Sequence, residues 1–209
     1  MPEWSHLATF AVASFILGVT PGPDIIYVIV RGAAQGPRAG VAAAAGLCTG
    51  IIGHTLLCIV GLTAVLAASA IAFTAVKVLG AAYLIYLGVR MWRHRDKLDF
   101  SDGDDPMPIG SIYRQTVIMN LLNPKVALFF LAFLPQFVDP GAGPVAYQFA
   151  ILGFIFMAVS FLVMAAAGLA GGQVRRFFST SENAGRRIHA LAGTVLIALG
   201  IRLAMETRA

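Results

Sequence analysis

Charged residues are scarce in this sequence. Only 12% of its 209 residues are Asp, Glu, Lys or Arg, against 58% that are hydrophobic, and the mean hydropathy is +0.81. A soluble domain of this length needs far more polar surface to cover itself. The composition therefore excludes a soluble globular protein and predicts an integral membrane protein. Its length suits one all-α domain of about six transmembrane helices, each of roughly 20 residues.

Cysteine is scarcer still, with two in the chain. Cys48 and Cys58 lie on one predicted helix, roughly 15 Å apart, which is too far for a disulfide within that helix. One function open to a membrane protein with two cysteines is that of a thiol-disulfide oxidoreductase, but such an enzyme needs two cysteines that can meet. We therefore expect a protein that is not an enzyme.

The start of the chain lacks the Lys- and Arg-rich region of a cleaved signal peptide, so we expect its first apolar segment to be retained as a span. The net charge is +5, but the basic residues lie in short loops beside apolar spans. Membrane proteins carry such residues in their cytoplasmic loops, so we expect no nucleic-acid partner.

Basic residues alternate between the loops. The loops after predicted spans 1, 3 and 5 hold them, and the loops after spans 2 and 4 hold none. This pattern places the odd loops in the cytoplasm and both termini outside, although Arg202 and Arg208 oppose it. The residues counted are Arg31, Arg38, Arg90, Arg93, Arg95, Lys97, Arg114, Arg175, Arg176, Arg186 and Arg187.

The spans form two similar halves. Residues 84–90 (LIYLGVR) at the end of span 3 match residues 196–202 (LIALGIR) at the end of span 6. Three spans per half is an odd number, so the second half must enter the membrane from the opposite side. This predicts two inverted three-helix repeats, at about 5–90 and 112–205, joined by a cytoplasmic loop at about 91–111. The six spans are expected at about 7–30, 39–67, 70–90, 116–138, 146–170 and 188–205.

Two of these spans carry a helix break with a charge beside it. Residues 20–24 (TPGPD) interrupt span 1, and residues 123–125 (NPK) interrupt span 4. Proline is favoured at the first position of a helix and Asn is a strong cap before it, so each break can begin a new half-helix. We expect helices 1 and 4 to be broken at corresponding places. Superposing Pro23 on Pro124 sets Asp24 opposite Lys125.

One negative and one positive group at membrane depth suit a zwitterion such as an amino acid. In this hypothesis Asp24 receives the ammonium group. The half-helix starts at Gly22 and Asn123, together with Lys125 or Lys77, receive the carboxylate. Two structural alternatives stay open: Asp24 and Lys125 can form an ion pair that is purely structural, and Lys77 can extend to the outer membrane interface.

Small residues recur every fourth position along span 2 and carry a histidine with them. Ala42, Gly46, Gly50, His54 and Cys58 share one helix face, which predicts close packing against a neighbouring helix. Asp24 or His54 is the candidate to carry the proton that is coupled to transport, because burial disfavours an ionised carboxylate and His titrates near neutral pH. A packed, hydrogen-bonded histidine is the structural alternative.

If the protein is a transporter, a metal or inorganic ion is the alternative cargo to a zwitterion. Hard cations require several oxygen ligands, and Asp24 is the only carboxylate well inside a predicted span. We therefore expect no metal site and no cofactor, with a proton gradient as the energy source. The Gly-rich helix faces also suit a homodimer in the lipid bilayer.

Four segments together carry a family resemblance, namely residues 20–24, 31–40, 76–88 and 123–137. Over nearly the whole chain the sequence resembles the lysine exporter and homoserine/threonine exporter (LysE/RhtB) family. The resemblance implies a bacterial inner-membrane exporter of amino acids or their derivatives, driven by proton exchange. The family's motif positions carry over to Pro21, Gly22, Pro23, Asp24, Lys77, Asn123, Pro124 and Lys125.

Overall fold

The computed structural model describes residues 4–62, 70–93, 105–180 and 182–205, and all regular elements in these ranges are helical. Short π-helical and 3-10 turns extend two of the helices, at Cys58–Leu62 and Leu134–Phe137. The α-helices are α1 (Trp4–Val19), α2 (Pro23–Gln35), α3 (Pro37–Leu57), α4 (Ala70–Arg93), α5 (Ile109–Leu121), α6 (Pro124–Phe133), α7 (Val145–Leu169), α8 (Gly171–Thr180) and α9 (Glu182–Met205).

Both predicted helix breaks are confirmed. Helix α1 ends at Val19 and α2 begins at Pro23 with a bend of 61°, while α5 ends at Leu121 and α6 begins at Pro124 with a bend of 49°. Each proline occupies the start of its helix, where its missing N–H costs nothing. The bends therefore follow from the residues at the breaks.

Segments long and apolar enough to cross a membrane account for much of the fold. Within the described residues, Pro37–Gly61 and Val145–Leu169 qualify as single helices, and each bent pair qualifies when it is counted as one span, which gives up to four. Helices α4 and α9 pack on each other along their length. The six-span inverted repeat stays a prediction.

Several basic residues lie elsewhere than the loops in which we expected them. Arg31 belongs to α2, and its side chain is only 4% exposed. The region after span 5 is helical, with Arg175 and Arg176 on α8 and with Arg186 and Arg187 on α9. The expectation of a basic loop there is wrong, because Val174 and Phe178 give α8 an apolar face that packs on α2.

The loop expected at 91–111 is shortened from both sides, since α4 continues through Arg93 and α5 begins at Ile109. Arg95, Lys97 and Arg208 lie outside the described residues. Just before α5, the chain is tied to α2: the Arg31 guanidinium donates to the Asp105 carbonyl at 2.7 Å and to the Met107 sulfur at 2.8 Å. Gln35 donates to the Met107 carbonyl at 2.9 Å.

An aromatic cluster sets the two broken helices side by side. The Phe10 ring of α1 lies 6.3 Å from Phe129 of α6 and 5.1 Å from Phe137 just beyond it. Phe129 in turn lies 5.3 Å from Phe156 of α7. Buried aromatic rings contribute large apolar area and prefer such tilted contacts. The cluster therefore holds α1 and α6 together on one side of the breaks.

Glycines let three helices touch through their backbones. A Cβ atom on Gly168 of α7 would lie 2.8 Å from the Gly40 carbonyl carbon of α3, and one on Gly32 of α2 would collide with the Gly168 carbonyl oxygen. Such contacts are a common way for helices to associate in a membrane, where van der Waals packing replaces the hydrophobic effect. Helices α2, α3 and α7 consequently have no room for a side chain at this crossing.

The crossing predicts a pair of unlike glycine substitutions. We expect Gly168→Leu to lower stability by about 1–3 kcal/mol or more, because the added side chain must push two backbones apart. Gly172→Leu is the matched control, since a Cβ there meets no atom within 4 Å. Thermal unfolding of the purified protein in detergent measures both. A Gly168→Leu protein that melts with the wild type would contradict the backbone contact.

Candidate functional site

The two helix breaks meet through Asn123 and Asp24. Asn123 precedes α6, and its side-chain oxygen accepts the Lys125 backbone N–H at 2.9 Å. Its side-chain nitrogen donates to Asp24 Oδ2 at 2.5 Å. Asp24 lies in the first turn of α2 and is 3% exposed, so its carboxylate faces protein on all sides. One asparagine thus caps α6 and holds the aspartate of the other break.

Lys125 reaches across to the first break. Its Nζ donates to the carbonyl oxygens of Leu17 at 3.4 Å and Thr20 at 3.3 Å, where α1 ends. A cation is favoured there, because the last carbonyls of a helix lack partners and carry the negative end of its dipole. Asp24 attracts the ammonium electrostatically. The hydrogen bonds go to α1 instead, so a directly bonded structural ion pair is not what the structure forms.

A cavity of about 20 Å³ lies between the breaks. That volume admits about one water molecule and is smaller than any amino acid. The polar wall consists of Asp24, Lys125, Asn120 and Ser160. The apolar wall includes Leu17, Leu47, Ile51, Val126, Phe156 and Met164.

Sequence reasoning missed Asn120 and Ser160 as members of this wall. Both are buried polar residues within apolar helices, 3% and 5% exposed respectively. The signal that singled out Asp24, a polar group at membrane depth, applies to each of them. They lack the neighbouring proline that drew attention to the breaks.

His54 lies beside the site and contacts one of its walls. Its ring is 4% exposed, and Nε2 donates to the Asn120 backbone carbonyl at 3.0 Å. The predicted packing of its helix face is confirmed, because Gly46 and Gly50 lie directly against α5. His54 itself is not among the residues that line the cavity. The structure thus shows a packed, hydrogen-bonded histidine that contacts the cavity wall through Asn120.

The two half-helix starts differ in how their amides are used. Gly22 precedes α2 in an extended conformation, and no side chain caps that helix. At α6, Asn123 already occupies the Lys125 amide. An anion would therefore find unoccupied amides at the start of α2. Lys77 lies on α4, but its side chain is outside the described residues.

Thiol-disulfide chemistry and metal binding, the two other candidate chemistries, gain no support from the described residues. Cys48 and Cys58 are both buried free thiols. Across the described ranges, no three His, Cys, Asp or Glu side chains come together as metal ligands. The group that pairs with Asp24 is an amide and not a second carboxylate.

Comparison with known proteins agrees with these features. Residues 15–207 match the family model described as LysE type translocator. The chain is 32% identical over 195 residues to an uncharacterized membrane protein of Vibrio cholerae, covering 93% of this chain and 94% of that protein. It is 29% identical over 197 residues to a leucine efflux protein of Klebsiella pneumoniae, covering 94% and 93%.

A further relative is a homoserine/homoserine lactone efflux protein of Salmonella typhimurium, 35% identical over 162 residues that cover 78% of this chain and 77% of that protein. No solved structure matches the chain. The family match spans both helix breaks and the residues that join them. The resemblance carried by the four motifs is confirmed, and the chain belongs to the family of LysE type translocators.

Proposed function

We propose that this protein exports amino acids or small amino-acid derivatives across the bacterial inner membrane in exchange for protons. The observation that carries the proposal is the junction of the two breaks, where Asp24 and Lys125 bring opposite charges to one small cavity. Two relatives, a leucine efflux protein and a homoserine/homoserine lactone efflux protein, support a cargo of this class.

The site offers each end of a zwitterion a different environment. Asp24 has one oxygen occupied by Asn123 and one, Oδ1, with no hydrogen-bond partner. The ammonium group binds at this free oxygen. The carboxylate binds between Lys125 and the uncapped start of α2, where the added Cβ of a Gly22 substitution would lie 3.4 Å from the lysine nitrogen. The apolar wall then receives the side chain of the substrate.

Transport requires the cavity to open, because it is too small for the substrate in this conformation. The six-span inverted repeat supplies a mechanism, in which one half rocks against the other around a site between the broken helices.

The orientation predicted from the basic residues, which faces the odd-numbered loops toward the cytoplasm, has structural support. Arg31 bonds to the segment before α5, and α8 packs on α2. The three basic regions therefore share one end of the protein, which we assign to the cytoplasm. A homodimer stays a prediction.

Asp24 is our choice for the proton carrier. Its Oδ1 can take a proton when the substrate leaves, whereas His54 does not line the cavity and reaches it only through the Asn120 carbonyl. Lys125 and His54 are the titratable groups that interact electrostatically with Asp24. Binding of the substrate ammonium and of a proton then exclude each other at one oxygen, which is the requirement for antiport.

We expect Asp24→Asn and Lys125→Ala each to reduce export by about tenfold or more while the protein still accumulates in the membrane, since each removes a charge that one end of the substrate needs. Cells that overproduce the protein are fed dipeptides, and the amino acids that appear outside are measured. Asp105→Asn and Arg114→Ala remove exposed charges of the same signs and are the controls. Wild-type export by both site variants would refute the assignment.

Asn123 gives a prediction that separates its two hydrogen bonds. Asn123→Ala loses the helix cap, which costs about 1 kcal/mol, and also the donor to Asp24, so we expect a lower melting temperature and impaired export. Asn123→Ser keeps a capping oxygen but cannot donate across to Asp24. It should melt closer to the wild type and still export poorly. Normal export by Asn123→Ser would show that the bond to Asp24 is dispensable.

The choice of proton carrier is tested with His54→Gln, which keeps a side-chain N–H donor near the Asn120 carbonyl. We expect export driven by an imposed pH gradient to continue in proteoliposomes of this variant, because Asp24 remains. Counterflow, which needs no net proton movement, is the internal control. A variant that keeps counterflow but loses gradient-driven export would assign the proton to His54.

A further inference from the structure

Two buried oxygens on the cavity wall lack hydrogen-bond partners. They are Oδ1 of Asp24 and Oδ1 of Asn120, and both residues are 3% exposed. Buried polar atoms in proteins are nearly always paired, and the exceptions call for an explanation. Asp24 and Asn120 line the same cavity. Their common position points to a donor group that binds between them.

The Asn120 side chain is held in place by its surroundings. Its backbone carbonyl accepts hydrogen bonds from His54 Nε2 at 3.0 Å and from the Asn123 backbone N–H at 2.9 Å. On the other side, α3 presents Gly50, where an added Cβ would lie 2.7 Å from both Cβ and Oδ1 of Asn120. Only a glycine leaves the asparagine in this position.

An α-ammonium group matches the two free oxygens. It carries three N–H donors, and one carboxylate oxygen cannot satisfy them all. Asn123 already uses Asp24 Oδ2, so a second residue with a free acceptor would complete the coordination of the ammonium group. Asn120, on the same wall, has a buried side-chain oxygen with no partner.

We propose that Asn120 is a further substrate-binding residue, whose side-chain oxygen accepts an N–H of the substrate's ammonium group together with Asp24. Gly50 is a positioning residue, which acts through Asn120 and does not line the cavity. This inference rests on the proposed function, since it assigns one end of an exported amino acid. It adds to the paired breaks a contact that neither break contains.

The test uses purified full-length protein in proteoliposomes and counterflow of radiolabelled L-leucine, or of another amino acid if the dipeptide experiment selects one. We expect Asn120→Ala to raise KM about tenfold with a smaller change in maximal rate, as loss of one charge-assisted hydrogen bond predicts. Asn120→Asp keeps a side-chain oxygen at this position and should restore KM to within about threefold of the wild type.

Two analogues of leucine separate binding from folding. Inhibition by 3-methylbutylamine, which has the amine and no carboxylate, should weaken in Asn120→Ala by about the same factor as KM. Inhibition by 4-methylpentanoate, which lacks the amine, should not change. Equal weakening of both inhibitors would mean general damage to the site and would overturn the proposal, as would an unchanged KM.

Gly50→Ala provides a second variant, which substitutes no residue that lines the cavity. It should displace Asn120 and reproduce the selective loss of amine inhibition, and it decides the matter if Asn120→Ala does not fold. Gly53→Ala is the matched control, one turn away on α3, where the added Cβ meets only the end of the flexible Leu121 side chain. Selective loss in both glycine variants, or in neither, would refute the role of Gly50. Wild-type protein that carries no amino acid would refute the proposed function itself, whereas wild-type transport with normal Asn120→Ala kinetics would refute this inference alone.

Discussion

Backbone groups released by the helix breaks must find partners where water is scarce, and most of the site's hydrogen bonds answer that need. A break leaves carbonyls at the end of one half-helix and amides at the start of the next without helical partners. Lys125 supplies donors to the Leu17 and Thr20 carbonyls, and Asn123 supplies an acceptor for the Lys125 amide. The amides at the start of α2 are the part of this requirement that no side chain meets.

Each break is completed by residues of the other, which makes the arrangement reciprocal. Lys125 belongs to the second break and binds the end of α1, while Asp24 belongs to the first and is held by Asn123 of the second. Asn123 caps its own helix, but the carbonyls at the end of α1 and the Asp24 side chain are bonded by residues of the second break. This reciprocity gives a physical reason for two breaks that face each other: a single broken helix would leave its charge and its open carbonyls buried without partners.

The sequence predicted what local chemistry determines. Proline and asparagine act on the helix that contains them, so the positions of both breaks and the cap at Asn123 could be found from neighbouring residues alone. Contacts that depend on distant segments could not. Arg31 was expected in a loop because the residues that it bonds, Asp105 and Met107, lie more than seventy positions away.

Asn120 escaped notice for a similar reason. What makes it unusual is an oxygen without a partner, and that can be recognised only when the surrounding helices are in place. The pairing of Asp24 with the second break was anticipated in position and not in chemistry, since the direct bond comes from Asn123 and not from Lys125.

The bonds from Arg31 and Gln35 to residues 105 and 107 have a mechanical consequence. They fasten the far end of α2 to the segment that leads into α5, whose other end carries Asn120 and leads to Asn123. Helix α2 and helix α5 are thereby linked at both ends, once through this strap and once through the bond between Asp24 and Asn123. A tilt of one helix against the other would strain or break one of these two links, so we expect α2 and α5 to move together, with the cavity beside one of the links.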